Sequence, residues 1–228
     1  MEGVRFAGQF PLEGLLCSPC RMAPPEFERA VAYAVYQDEL REMVHLLKYE
    51  RMSAMARPLG RMLARAIEMI EGEAGADKDK DLLVVAVPLF PSKERERGYN
   101  QAVLICDAAL GELKKSRPEW RLQAAHRVIR RVRDTRSQFE LTPTGRRRNL
   151  QGAFAVTDGS ALIGREVLLV DDIYTTGATA RACSRVLRRA GASKVWVATV
   201  SRAQPEMVAA WDLASADAAS QTTVWDAG

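Results

Sequence analysis

Apolar residues run together at only a few places in this chain. Leu82 to Val87 and Val167 to Val170 are apolar at every position, the pattern of strands covered on both faces in a parallel sheet. Lys194 to Val200 reads as a further strand, and Arg29 to Tyr36 is a short β-compatible run. Elsewhere the period is helical. Asp38 predicts an N-cap for a helix with Leu40, Val44 and Leu47 on one face. A second helix from about Ala54 aligns Met55, Leu59, Met62, Leu63, Ala66, Ile67 and Ile70. Pro88 ends the first buried strand, and a polar loop, Phe90 to Tyr99, follows it. Asn100 then caps a helix whose Val103, Cys106, Leu110 and Leu113 point inward. Weaker strand signals lie at Val128 to Val132 and Ala153 to Val156. A last helix, Ala178 to Ala190, turns Ala180, Cys183, Val186, Leu187 and Ala190 to one side and stops at Gly191.

Strands in series with helices predict an α/β fold: a parallel sheet flanked by helices, joined by right-handed crossovers. This domain spans residues 29–202. A small N-terminal appendage, residues 1–28, precedes it, and an acidic Ala-rich tail, residues 203–228, follows.

Composition adds little until it is resolved along the chain. The 228 residues are 47% hydrophobic and 27% charged, an ordinary globular mixture, with a net charge of only +4. From Lys114 to Leu150, however, twelve Lys and Arg face three acids, a segment of +9, which leaves −5 elsewhere. That asymmetry suits either a solvated face or a local anion-binding surface. Four cysteines are too few for a disulfide scaffold and predict a reducing, cytoplasmic setting. No apolar run approaches a membrane span, and no signal-peptide pattern opens the chain.

The candidate chemistry lies at Val167-Leu-Leu-Val-Asp171-Asp172-Ile-Tyr-Thr175-Thr176-Gly177-Ala178-Thr179. A buried strand delivers two acids to the carboxyl edge of the sheet, where open α/β folds bind ligands. Side chains alternate along a strand, so Asp171 and Asp172 take different roles. The small-residue turn and its threonine hydroxyls meet at a helix N-terminus, a ready site for a phosphate dianion. Gly177 lets the backbone approach that phosphate closely. Neither a P-loop nor a dinucleotide-fold glycine pattern is present, which disfavours ATP hydrolysis and NAD chemistry.

This string resembles the phosphoribosyl diphosphate (PRPP) motif of type I phosphoribosyltransferases, and the chain resembles their ComF/GntX branch, associated with competence. Val87-Pro-Leu-Phe with Arg95, Arg97 and Gly98-Tyr-Asn-Gln101 supports the narrower likeness, as do Leu46-Leu-Lys-Tyr49, Thr135, Gln138, Leu141 and Arg146 to Phe154. The resemblance implies a type I phosphoribosyltransferase-like sheet and contacts from Asp171 and Asp172 to the ribose hydroxyls. It places the 5′-phosphate on Thr175, Thr176, Gly177, Ala178 and Thr179, with Mg²⁺ held mainly by PRPP. The departing pyrophosphate needs cations, for which Lys93, Arg95 and Arg97 are the natural clamp. Arg146, Arg147 and Arg148 offer an alternative source as a lid that excludes water.

The expected function is therefore Mg-dependent transfer of phosphoribosyl from PRPP to an unidentified acceptor, linked to competence and DNA uptake through the proteins of that machinery. The alternative is a non-catalytic PRPP-sensing or DNA-uptake accessory protein. Direct DNA contact is disfavoured, because only Trp120 and Phe139 interleave the arginines and no DNA-reading motif accompanies them. Cys17 and Cys20 form half of a zinc site. Neither His45 nor His126 has the spacing to complete it, so zinc within one chain is disfavoured. Asp172 and Glu140 are the candidates for a general base.

Overall fold

A computed structural model describes residues 23–75, 81–134 and 150–204. Cys17, Cys20, Glu140, Arg146, Arg147, Arg148, most of the N-terminal appendage and nearly all of the acidic tail lie outside the described residues. The elements run in the order β1 (Arg29–Val35), α1 (Asp38–Tyr49), α2 (Ala56–Glu68), β2 (Leu82–Ala86), α3 (Pro91–Arg97) and α4 (Gln101–Ser116). They continue with β3 (Leu122–Ala124), β4 (Ile129–Arg131), β5 (Phe154–Val156), β6 (Glu166–Tyr174), α5 (Ala178–Arg189) and β7 (Lys194–Arg202).

The expected parallel sheet forms, with strand order β1-β7-β6-β2-β3, while β4 and β5 pair antiparallel as a separate ribbon. The apolar runs alternate between two cores. Val84, Ala86, Leu168 and Val170 pack on one face with Leu59, Leu63 and Ile67 of α2 and Ile105, Cys106 and Ala109 of α4. Leu83, Val85, Val167 and Leu169 pack on the other with Ala180, Cys183 and Leu187 of α5. Neighbouring strands β2 and β6 thus send their following helices to opposite faces. The crevice beyond their carboxyl ends is the point at which a doubly wound sheet opens for a ligand.

Several boundaries differ from the sequence expectation for local reasons. Phe90 to Tyr99 is largely helical. Pro91 occupies the first helical turn, where its missing N–H costs no bond. Gly98, at φ 84°, closes the helix by donating its N–H to the Glu94 carbonyl at 2.8 Å. Gln37, rather than Asp38, occupies the N-cap of α1, and its side chain makes no cap bond. Asp38 is the first helical residue, at φ 46°, and with Glu39 it places negative charge in the first turn.

β6 does not stop at Val170; it runs through both acids to Tyr174, because β7 continues to pair with it as far as Tyr174 against Arg202. On α4 the fully buried line is Ala102, Ile105, Cys106, Ala109 and Leu113, with Val103 and Leu110 only partly covered. Gly60 of α2 lies where a Cβ would overlap Ala108 of α4, so the two helices approach closely.

Asn100 caps α4 as expected: its side chain accepts from the Ala102 N–H and donates to the Val87 carbonyl, each at 3.0 Å. That second bond ties the end of β2 to α4. His126 performs a similar service where β3 runs out. Its Nδ1 accepts the Ala86 N–H at 3.1 Å and its Nε2 lies 3.0 Å from Asp107. Cys106 and Cys183 are fully buried core residues. No helix among the described residues is long and apolar enough to cross a membrane.

Candidate functional site

An open cleft lies at the carboxyl edge of the sheet, where β2 and β6 end. Its walls come from four parts of the chain. α1 supplies Lys48 and Tyr49. The β2–α3 connection and α3 supply Val87, Pro88, Leu89, Lys93 and Arg97, and α4 adds Gln101. The ribbon supplies Arg131, and β6 with its following turn supplies Asp171, Asp172, Ile173, Thr175 and Thr179. A smaller recess beside it is lined by Thr175, Gly177, Ala178 and Thr179 together with Asp171.

The two acids diverge as strand alternation requires. Asp172 follows the Leu168 and Val170 side and reaches α1, where its Oδ2 lies 2.8 Å from Lys48 Nζ. Both side chains are nearly buried, 11% exposed for Lys48 and 5% for Asp172. Burial alone would lower the Lys48 pKa, but the charge of Asp172 and its hydrogen bond outweigh that and hold the ammonium above its ordinary value of 10.5. Lys48 sits one helical turn after buried Val44, which explains why α1 turns it inward.

Asp171 follows the opposite face. Its Oδ1 accepts the Asp172 backbone N–H at 2.9 Å. Burial first, and then the neighbouring Asp172 charge, raise its pKa from 3.8 to about 7, against the opposing pull of Lys48 and Arg131. Arg131 lies with its guanidinium 5.6 Å from the centre of the Phe154 ring, and burial lowers its own pKa. Cys183 lies below, its thiol pushed up by burial and by the Asp171 charge.

The turn that leads into α5 is tight and is closed by a glycine. Gly177 is the N-cap of α5 at φ 72° and ψ 9°. An added Cβ would overlap the Tyr174 hydroxyl and lie 2.7 Å from its Cζ, so both the backbone and the packed ring require glycine here. Tyr174 is in turn covered by Arg202, 5.9 Å from the ring centre. Thr175 and Thr179 face the cleft, whereas Thr176 does not line it; its hydroxyl is buried without a hydrogen-bond partner among the described residues.

The cationic clamp is narrower than the sequence suggested. Lys93 and Arg97, one turn apart on α3, line the cleft, while Arg95 on the other side of the helix is exposed and does not. Arg97 is held by a 2.9 Å hydrogen bond to Gln101 and lies 5.6 Å from the centre of the Tyr49 ring. Arg51, at φ 54°, reaches the Glu96 carbonyl at 2.6 Å, and Tyr99 donates to the Leu47 carbonyl at 2.6 Å. These bonds fasten the end of α1 to α3, so the Lys48 wall and the Arg97 wall form one unit. Lys48, Tyr49 and Arg131 carried no individual assignment from sequence. The inward register of Lys48 one turn after Val44 was a signal that could have found it.

Among the described residues no group of three or more His, Cys, Asp or Glu could hold a metal ion. The acid pair offers two carboxylates, one already engaged by Lys48. Mg²⁺ is ordinarily held by one or two carboxylates together with a ligand's phosphates, and the carboxylate of Asp171 fits a site of that kind.

No family model matches the chain. The DNA utilization protein YhgH of Salmonella typhimurium is 33% identical over 183 residues, 80% of this chain and 76% of that protein. Competence protein F of Haemophilus influenzae is 28% identical over 189 residues, 82% and 78% of the two chains. A hypoxanthine phosphoribosyltransferase from Staphylococcus aureus aligns with a TM-score of 0.33 and 15% identity, over 69% of this chain and 75% of that one. The family assignment rests on the sequence relatives, whose identity extends across most of both chains, and by it this protein belongs to the ComF/GntX family.

Proposed function

We propose that the cleft binds PRPP and that the protein transfers its phosphoribosyl group to an acceptor nucleophile, releasing pyrophosphate. One observation carries the reading: the threonine turn at the start of α5, the two acids of β6 and the Lys93–Arg97 pair all line a single cleft. The backbone N–H groups at the α5 N-terminus and the hydroxyls of Thr175 and Thr179 would hold the 5′-phosphate. Asp171 would accept hydrogen bonds from the ribose hydroxyls. Lys93 and Arg97 would meet the diphosphate, with Arg131 flanking it.

In the transfer step the bond from C1′ to the pyrophosphate oxygen breaks and pyrophosphate leaves with the electron pair. An acceptor lone pair closes on C1′, with loss of its proton to solvent. Mg²⁺ brought in with PRPP supplies neutralisation of the leaving diphosphate. The names of YhgH and competence protein F favour a role for this chemistry in DNA use or uptake.

Pyrophosphate release from PRPP, measured with a panel of amines and nucleobases, tests the reading. Acceptor-dependent release that is lost in Asp171→Asn supports transfer. PRPP binding without release for any acceptor assigns the protein to sensing instead. Absence of both overturns the assignment of the cleft.

A further inference from the structure

The acid pair of β6 already holds a cation. Lys48 approaches Asp172 to 2.8 Å, and only 11% and 5% of the two side chains is exposed. The pair sits in the wall of the cleft that Asp171, Lys93 and Arg97 also line. We propose that Lys48 is the resident counter-ion of this acid pair, so that the cleft binds a pentose 5-phosphate without a divalent cation. This rests on the phosphoribosyl reading above and narrows it. The metal requirement then belongs to the diphosphate of the substrate and not to its sugar or its 5′-phosphate.

The charges support this division. Four cations line the cleft, Lys48, Lys93, Arg97 and Arg131, against two carboxylates, Asp171 and Asp172. With both acids ionised the lining is positive by two, matching a phosphate dianion without help from a metal. Without Lys48 the two consecutive carboxylates would face the sugar with only cations from other walls to balance them. A divalent ion is what such a pair ordinarily recruits.

Lys48 is also well placed to remain there. The Tyr99 bond to Leu47 and the contact of Arg97 with Tyr49 fasten the chain on either side of it. Tyr36, nearly buried, faces the same pair. The ammonium carries three donors, and its ion pair with Asp172 leaves donors for a sugar hydroxyl. Lys48 is thus a positioning residue for Asp172 and a donor in reach of the ligand's side of the cleft.

The test is calorimetric titration of ribose 5-phosphate into the full chain, with excess Mg²⁺ and again with EDTA. The wild type is expected to bind equally under both conditions, within about twofold. Lys48→Met, which removes a charged hydrogen-bond donor, is expected to lose about tenfold or more in EDTA and to recover in Mg²⁺. Lys48→Arg, which keeps the charge, should stay near the wild type in EDTA, and thermal melts establish that each variant is folded. The double variant Lys48→Met with Asp172→Asn removes the pair together, leaves the lining positive by two and keeps the test open if the single variant does not fold; it should bind equally with Mg²⁺ and in EDTA, within about twofold.

Wild-type binding that disappears in EDTA overturns the proposal while leaving the phosphoribosyl reading intact. So does Lys48→Met binding in EDTA as tightly as the wild type, or a double variant that binds only with Mg²⁺. If ribose 5-phosphate fails to bind under either condition, the phosphoribosyl reading itself falls and takes this inference with it.

Discussion

Replacing Asp171 by Asn should stabilise the protein at alkaline pH while removing its function. The carboxyl is raised from 3.8 to about 7, chiefly by burial and by the adjacent Asp172. A carboxyl with a raised pKa binds a proton more tightly in the folded state than in the unfolded one. Its contribution is therefore favourable at low pH and is lost as pH rises from about 4 through about 7.

At roughly 1.36 kcal/mol per pH unit, the move from 3.8 to about 7 sets an upper bound of about 4 kcal/mol. Water in the open cleft screens part of it, so at least about 1 kcal/mol should be recovered by the neutral amide. For a domain of this size that raises Tm by about 2–4 °C or more. The assay is a pair of thermal melts of wild type and Asp171→Asn, at pH 4 and pH 8.5, without ligand. The variant should gain on the wild type at pH 8.5 and gain little or nothing at pH 4. A variant that is less stable at pH 8.5, or a difference that does not change with pH, refutes the reasoning that Asp171 is held against its ionisation.

Lys48→Met should lower stability by about 3–5 kcal/mol, because it leaves Asp172 buried without its partner, and adding Asp172→Asn should restore most of the loss. The ammonium is held above 10.5, so its contribution to stability is present below that pH and fades only as pH rises through the raised value. Melts at pH 8 and above pH 11 read this directly. Gly177→Ala should cost about 1–2 kcal/mol for the backbone conformation alone. It must also displace the Tyr174 ring, so PRPP affinity in a calorimetric titration should fall further than stability explains. Lys93→Ala and Arg97→Ala should each weaken PRPP binding by about tenfold, as expected for a lost charged hydrogen bond. They should weaken ribose 5-phosphate less than PRPP, and Arg95→Ala should change neither, because Arg95 does not line the cleft.

The parts of this fold readable from sequence were those set by local periodicity. Leu82 to Val87 and Val167 to Val170 suited strands covered on both faces, and the buried strand, double acid and Thr-Thr-Gly before a helix together pointed to a tight turn at an N-terminus. The errors came where pairing or capping decided. β6 extends through Asp171 and Asp172 because β7 continues beside it, a fact about a strand some thirty residues away. The helix α3 was legible in principle, since Pro91 and Gly98 bracket it, but its polar composition hid the period.

The acids and threonines were recognisable because they are contiguous in sequence. Lys48, Tyr49 and Arg131 reach the same cleft from α1 and from the ribbon, and only the packing of those elements brings them in. The +9 segment divides as well. Arg131 lines the cleft, while Arg117 pairs with Glu71 and Arg121 with Asp81 on the surface.

A crystal structure of the full chain with PRPP and Mg²⁺ tests the central claim most directly. The account predicts the 5′-phosphate against Thr175 to Thr179, the ribose hydroxyls toward Asp171, and the diphosphate between Lys93 and Arg97, with the Lys48–Asp172 pair intact. PRPP bound elsewhere on the protein, or a cleft in which the diphosphate takes the threonine turn, would contradict it.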